Sequence, residues 1–341
     1  MFIHFRFALA IIMVLLCIPV SCSRSEETVF FSGHTMGTTY HITTATDAGA
    51  ILDGLQDLID DRLESLNQSM STYRQESQIS QFNRMSTTDQ DFPVSMDFYK
   101  VMAVAADIYR ITRGAWDGTV HPLVNLWGFG ASGAISVPPS RQLVEATLAK
   151  VGFHFIEVSD KGTLKKRRPD ITVDLASIAK GYGVDAVAQL LSGRGFKNYL
   201  VEIGGEVYAA GCRPDGMPWK VGINRPEKSA PANAVYKVFA LENQAMATSG
   251  DYRNYLEIGG RSYSHIIDPR DGYPVHNGVV SASVTAPNCT LADGLATAVV
   301  VMGAKEGLAL IDRMDKVEGL VIVRQPDGTF RDHWSRGLRP E

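Results

Sequence analysis

Ser281-Ala-Ser-Val-Thr-Ala286, followed after five residues by Ala292-Asp-Gly-Leu-Ala-Thr297, decides how this chain is read. The first segment is strand-like. The second, read as a helix, sets Asp293 and Thr297 four residues apart on one face. A carboxylate and a hydroxyl are hard oxygen ligands, and strand-to-helix corners often hold Mg2+ and phosphate groups. The same spacing also suits an Asp that merely caps or charges a first helical turn, so the surrounding segments have to decide.

Downstream, helical patterns at 291–301 and 305–314 precede a final hairpin, with strands at 319–323 and 329–334 around Pro326-Asp-Gly328. Upstream, residues 198 to 287 read mainly as short, turn-punctuated strands: 199–203, 206–209, 219–223, 234–240, 252–258 and 261–267. Before them come four helices. Ile51, Leu55, Ile59, Leu63 and Leu66 recur at helical spacing, Ser95 is placed to cap a helix that stops at Gly114, Pro138-Pro139-Ser140 opens a third, and the fourth begins near Ser177. Two glycine-broken strands span 29–43. The pattern is a mixed α/β (α+β) architecture with an antiparallel bias, and no internal repeat interrupts it.

With 341 residues, 45% hydrophobic and 21% charged, the chain is long enough for two lobes or one large domain. Residues 1–21 carry Arg6, no acid and an apolar run from Phe7 to Val20, the pattern of a secretory signal peptide. Ser21-Cys22-Ser23 resembles a bacterial lipobox, with Pro19 where a Leu-like residue is usual. Cys22 is therefore the expected lipidation site, with plain secretion or an uncleaved anchor as alternatives, and a polar linker (22–28) follows. A net charge of −4 gives no reason to expect nucleic-acid binding. The basic cluster Lys165-Lys166-Arg167-Arg168 reads as a solvated hairpin turn. Cys212 and Cys289 allow at most one disulfide, or two buried thiols.

Several polar or glycine-rich segments are candidate binding loops. His34-Thr-Met-Gly-Thr-Thr39 permits close backbone approach to a phosphate or ribose, or is a decorated hairpin turn. Trp116 to Gly130 is aromatic enough for a flat-ring platform or a local core. Asp174-Leu-Ala-Ser-Ile-Ala-Lys-Gly-Tyr182 brings a strand end, a helix start and Lys180 together, which suits a diphosphate. His265, followed by Asp268 and a turn, is the sharpest candidate base, although an isolated strand His is often structural. No Walker loop, Gly-x-Ser-x-Gly elbow or His-Glu-x-x-His is present.

Val120 to Gly130, Asp174 to Tyr182, Tyr199 to Glu206, Ala247 to Asn254, Tyr263 to Pro269 and Ala292 to Thr297 together, in this order and spacing, resemble the FAD:protein FMN transferase family, the ApbE-like lipoproteins. The chain departs from the family's pattern at Asp117-Gly-Thr119, where Asp-Pro-Thr is usual, and at His121-Pro122, where Gly-Pro is usual. The resemblance implies one T-fold-like domain over residues 29–336 that binds FAD as substrate, uses Mg2+, and transfers FMN to a threonine hydroxyl of an acceptor protein with release of AMP. It implies Asp293 and Thr297 as metal ligands with a backbone carbonyl near Ser177, His265 as base, and Lys180 as a charge partner of the diphosphate. It also sets Met36, Thr38, Tyr73, Asp117, Asp174, Glu202, Thr248 and Asp268 against the flavin or adenosine side. The implied location is the periplasmic side of a bacterial membrane, near acceptors such as subunits of the sodium-pumping NADH:quinone reductase or Rnf. FAD pyrophosphatase activity, or FAD binding without turnover, are the alternatives.

Overall fold

The first two strands meet at Met36-Gly37, whose φ angles of 50° and 74° make a two-residue turn with Thr35 opposite Thr38. Positive φ at both central residues matches the right-handed twist of the flanking strands. The computed structural model describes residues 26–47, 52–130, 133–227, 230–231, 234–251 and 254–338. The signal peptide expected at 1–21, Cys22 and the start of the 22–28 linker lie outside the described residues.

Along the chain come β1 (Glu26–Thr35), β2 (Thr38–Asp47), α1 (Leu55–Met70), α2 (Gln78–Arg84), β3 (Phe92–Pro93), α3 (Met96–Ile111), α4 (His121–Leu126) and α5 (Arg141–Leu148). Next are β4 (Ile156–Ser159), β5 (Thr163–Lys166), α6 (Ala179–Gly193), β6 (Asn198–Ile203), β7 (Glu206–Ala210), β8 (Trp219–Asn224) and β9 (Val235–Leu241). The chain continues through β10 (Gln244–Gly250), β11 (Tyr255–Ile258), β12 (Arg261–Ser264), β13 (Val279–Ala286), α7 (Cys289–Ile311), β14 (Glu318–Arg324) and β15 (Phe330–Trp334).

Eight strands form the main sheet in the order β1-β2-β6-β7-β10-β13-β14-β15, and every neighbouring pair is antiparallel. The mixed, antiparallel-biased architecture read from the sequence is the one observed. Strand alternation divides the sheet into two faces. Val201, Ile203, Ala245, Ala247, Ala282 and Val284 pack on one face against α1, α6 and α7. Val207, Ala209, Met246, Val280, Leu320 and Ile322 face the other side, against Trp219 and Leu241 of the β8–β9 ribbon. A separate core joins α3 to Ile171, Val173 and Leu175, the segment that leads into α6.

The helix starts obey local chemistry. Ser95 Oγ accepts the Phe98 N–H and Ser140 Oγ accepts the Leu143 N–H, so both serines cap as their positions predict. Gly303, at φ 80° and ψ 167°, breaks α7 into two helical stretches, which correspond to the two helices expected at 291–301 and 305–314. α7 is long and apolar enough to cross a membrane, but 61% of its most apolar window is buried inside the fold, as befits a core helix.

The basic cluster requires a correction. The turn lies earlier, between β4 and β5, and Lys166 is a fully buried strand residue. Alternation sends Leu164 and Lys166 inward together. The Lys166 ammonium donates to the carbonyls of Asn83 (3.0 Å) and Met85 (3.1 Å) and stands 5.1 Å from the centre of the Phe82 ring. Burial lowers its pKa to about 8. Cys212 and Cys289 are both free thiols.

Candidate active site

Helix α6 starts at Ala179, so Lys180 lies in its first turn. The helix comes very close to α7. A Cβ on Gly181 would sit 2.3 Å from the Cys289 carbonyl oxygen and 2.8 Å from Asp293 Cβ, so only glycine allows this approach. Asp293 belongs to the second turn of α7, whose own cap is Asn288. Asp293 therefore serves a different helix: its Oδ2 accepts the Gly181 N–H at 2.9 Å. In a continuous helix that N–H would bond the Ser177 carbonyl four residues back, so the Ser177 carbonyl loses its helical donor.

Lys180 Nζ stands 2.9 Å from Glu206 Oε1 and 4.0 Å from Asp293 Oδ1. Both carboxylates are buried, and Glu206 Oε2 is a buried oxygen without a hydrogen-bond partner. Burial opposes the Lys180 charge, but Asp293 and Glu206 outweigh it and hold its pKa above the usual lysine range. Glu206 carries the imbalance: burial, then the charge of Asp293, raise its pKa to about 8 against the pull of Lys180. Two buried carboxylates share one ammonium, and a further cation would settle the site. One turn along α7, Thr297 Oγ1 donates to Ser249 Oγ across 3.4 Å. The oxygens of Asp293, Glu206 and Thr297, with the Ser177 carbonyl, make a hard-ligand set suited to a divalent cation.

A cleft of about 1010 Å³ adjoins this cluster through Lys180 and Ala179. Met36, Thr38, Tyr73, Asp174 and Lys180, all anticipated from sequence, line it together. Tyr73 is 97% exposed, an aromatic ring presented to whatever enters. The His34 to Thr39 segment is both a hairpin turn and a cleft wall. Asp174 Oδ1 accepts the Ala176 N–H at 2.8 Å, and Oδ2 lies 2.9 Å from His121 Nδ1. Burial works against the Asp174 charge, but His121 and the Ala176 N–H prevail and lower its pKa; Asp174 in turn raises that of His121. Ser177 Oγ accepts the Trp116 indole N–H at 3.0 Å, which turns the side chain toward Trp116.

Other anticipated residues lie elsewhere. Glu202 and Thr248 project from the sheet face opposite α6 and α7, because Val201, Ile203, Ala245 and Ala247 occupy the helix face and alternation turns their neighbours away. Glu202 accepts the Gly205 N–H and pairs with His41, while Thr248 Oγ1 bonds Ser283 Oγ at 2.7 Å. Asp117 is buried and clasps a loop: Oδ1 accepts from the N–H and hydroxyl of Thr119, and Oδ2 from the Phe153 N–H. Asp268 is held by Arg270 at 2.6 Å rather than by His265.

His265 follows β12 and is edge-on to Phe129. Its Nδ1 lies 2.8 Å from the Asn254 carbonyl. A carbonyl only accepts, so Nδ1 carries the proton and the neutral ring presents Nε2 as a base. Burial lowers the His265 pKa below its ordinary value despite that bond.

A family model described as the ApbE family matches residues 36–321. The chain belongs to the ApbE family. It is 42% identical to the FAD:protein FMN transferase of Vibrio cholerae over 327 residues, 95% of this chain and 96% of that one. It is 38% identical to the FAD:protein FMN transferase of Haemophilus influenzae, with 90% of each covered. Among solved structures, the flavin transferase ApbE from Vibrio cholerae superposes with a TM-score of 0.82 over 91% of this chain and 98% of that one. The flavinyl transferase ApbE of Pseudomonas stutzeri, apo form, is 34% identical and gives a TM-score of 0.81 over 91% and 95%.

For this ApbE-family chain, sequence reasoning missed Glu206 and Ser249, the helix-face neighbours of Glu202 and Thr248. The signal was there in the alternation. With Val201 and Ile203 on the buried face, Glu202 has to point away, and the next acid that can face Lys180 is the one after the Gly204-Gly205 turn.

Proposed function

We propose that this chain is an Mg2+-dependent FAD:protein FMN transferase that moves FMN from FAD to a threonine hydroxyl of an acceptor protein and releases AMP. The observation that carries the reading is the buried Lys180–Glu206–Asp293 cluster, two carboxyl groups around one ammonium, beside a dinucleotide-sized cleft in an ApbE-family chain. In this reading Asp293, Thr297 and the Ser177 carbonyl hold the cation, and Glu206, whose buried Oε2 has no hydrogen-bond partner, assists. The cation supplies Lewis-acid stabilisation of the diphosphate.

The chain's own groups do the rest. The cleft binds FAD, with Tyr73 and Met36 suited to the apolar flavin and Lys180 to the diphosphate. His265 Nε2 takes the proton of the threonine hydroxyl as its oxygen bonds the FMN-side phosphorus and the bond to the AMP phosphate breaks. The export reading of residues 1–21 and lipidation at Cys22 would tether the enzyme on the periplasmic side of the membrane, near membrane-bound acceptors.

The test is incubation with FAD and Mg2+, with and without a peptide containing Ser-Gly-Ala-Thr. Transfer gives a peptide carrying FMN and an equal amount of AMP. Free FMN and AMP at the same rate with and without peptide would make the chain a pyrophosphatase, and intact FAD under both conditions would make it a binder.

A further inference from the structure

Helices α6 and α7 are each finished by an aspartate of the other. Ile178 at the N-cap of α6 offers no side-chain bond, and Asp293 Oδ2 of α7 takes the Gly181 N–H. In return Asp185 of α6 accepts the Cys289 N–H on Oδ1 at 2.7 Å, and the Thr290 N–H on Oδ2 at 2.8 Å together with the Thr290 hydroxyl. The spacings are identical. Gly181 precedes Asp185 by one helical turn, and Cys289 precedes Asp293 by one helical turn, so each helix offers an amide and a carboxylate at matching heights.

Such a clasp has little slack, because even one added carbon on Gly181 would collide with the Cys289 carbonyl. A shift of the first turn of α7 would carry Asp293 with it, since one turn of hydrogen-bonded helix joins them. Asp293 would then lose both the Gly181 amide and its aim toward Lys180. An ordinary cap needs one or two acceptor contacts. Asp185 makes three, all to the first two residues of α7, and it stands one turn from the residue that α6 in turn receives from α7.

We propose that Asp185 is a positioning residue for the divalent-cation site: by locking the first turn of α7 it fixes the direction of Asp293 toward Lys180 and the Ser177 carbonyl. The inference rests on the reading of Asp293 as a cation ligand. It assigns Asp185 no contact with cation or substrate. Groups that orient ligands in this way change metal affinity about 10- to 100-fold when altered.

The test uses Asp185→Asn, which keeps the shape but turns an amide NH2 toward a backbone N–H, and Thr290→Val, which removes one donor and leaves the backbone contacts. Two quantities are read on the full protein: Mn2+ affinity in the presence of FAD, by electron paramagnetic resonance, and hydrogen exchange at Gly181 and at Cys289–Thr290. Asp185→Asn should weaken Mn2+ binding about tenfold or more and speed exchange at Gly181 as well as at Cys289 and Thr290. Thr290→Val should shift both in the same direction by less, and excess Mg2+ should restore transfer in each variant. A simple cap would speed exchange at Cys289 and Thr290 alone and leave Mn2+ affinity and Gly181 as in the wild type, which would overturn the proposal. If Asp185→Asn does not fold, unchanged Mn2+ affinity in Thr290→Val overturns it equally. Wild-type Mn2+ affinity in Asp293→Ala would sink the metal-site reading itself, and this inference with it. Weakening in Asp293→Ala without weakening in Asp185→Asn would sink the inference alone.

Discussion

Lys180 Nζ lies 2.9 Å from Glu206 Oε1, and Asp293 brings a second buried carboxylate to within 4.0 Å of the same nitrogen. A single ammonium shared by two carboxylates is a poor arrangement for stability on its own. It becomes sensible if a divalent cation joins it.

Glu206→Gln keeps the shape and removes the carboxylate that could turn anionic beside a bound cation. The half-saturating Mg2+ concentration for transfer should rise about tenfold or more, while the thermal midpoint without Mg2+ changes little, because burial already favours the neutral acid that glutamine mimics. Glu202→Gln, on the opposite face of the sheet, should leave the Mg2+ requirement unchanged. Mg2+ titrations of both variants, with melting curves, check the contrast. Equal shifts in the two would undo the assignment of faces.

The pH dependence follows from His265. Burial lowers its pKa from the ordinary 6.5, so the neutral ring needed for a base persists below that pH. At saturating Mg2+, transfer should therefore be flat above pH 6.5 and fall on an acid limb whose midpoint lies lower. The stability sign agrees. The unfolded chain binds the proton more tightly, so this group's contribution is fully present above pH 6.5 and is lost as pH falls through the folded pKa. His265→Ala should slow transfer roughly a hundredfold and abolish that limb, with FAD binding retained by fluorescence titration.

Gly181→Ala forces a methyl group into the Cys289 carbonyl at 2.3 Å. The helices must separate, at a cost of about 1–3 kcal/mol in urea unfolding, and Asp293 moves off the Gly181 amide. Transfer should fall much further than stability does. A variant with wild-type activity at ordinary Mg2+ would show that the tight approach of α6 and α7 is not required for the chemistry.

Much of this is readable in the sequence alone. The 3.6-residue spacing of Leu55, Ile59, Leu63 and Leu66 set α1, Ser95 marked the start of α3, and Asp293 and Thr297 share one face of α7 because their spacing requires it. The Asp174 to Tyr182 segment was legible as a strand end meeting a helix start with a lysine. What sequence left hidden are partnerships across the fold. Asp185 meets Cys289 and Thr290 more than a hundred positions away, and Lys166 finds the carbonyls of Asn83 and Met85 some eighty positions back. Helices α2 and α4, of seven and six residues, are too short for periodicity to declare them. Glu202 and Thr248 lie on the sheet face away from Lys180 for another reason: a motif names a stretch of chain, whereas the pleat decides which face each residue takes.

Mass spectrometry of a threonine-containing acceptor peptide, after incubation with FAD and Mg2+ and either wild-type protein or Asp293→Ala, tests the central claim most directly. The account predicts an FMN adduct on the threonine with the wild type and none with the variant. An adduct formed at the wild-type rate by Asp293→Ala, or FMN set free with the peptide left unmodified by the wild type, would contradict it.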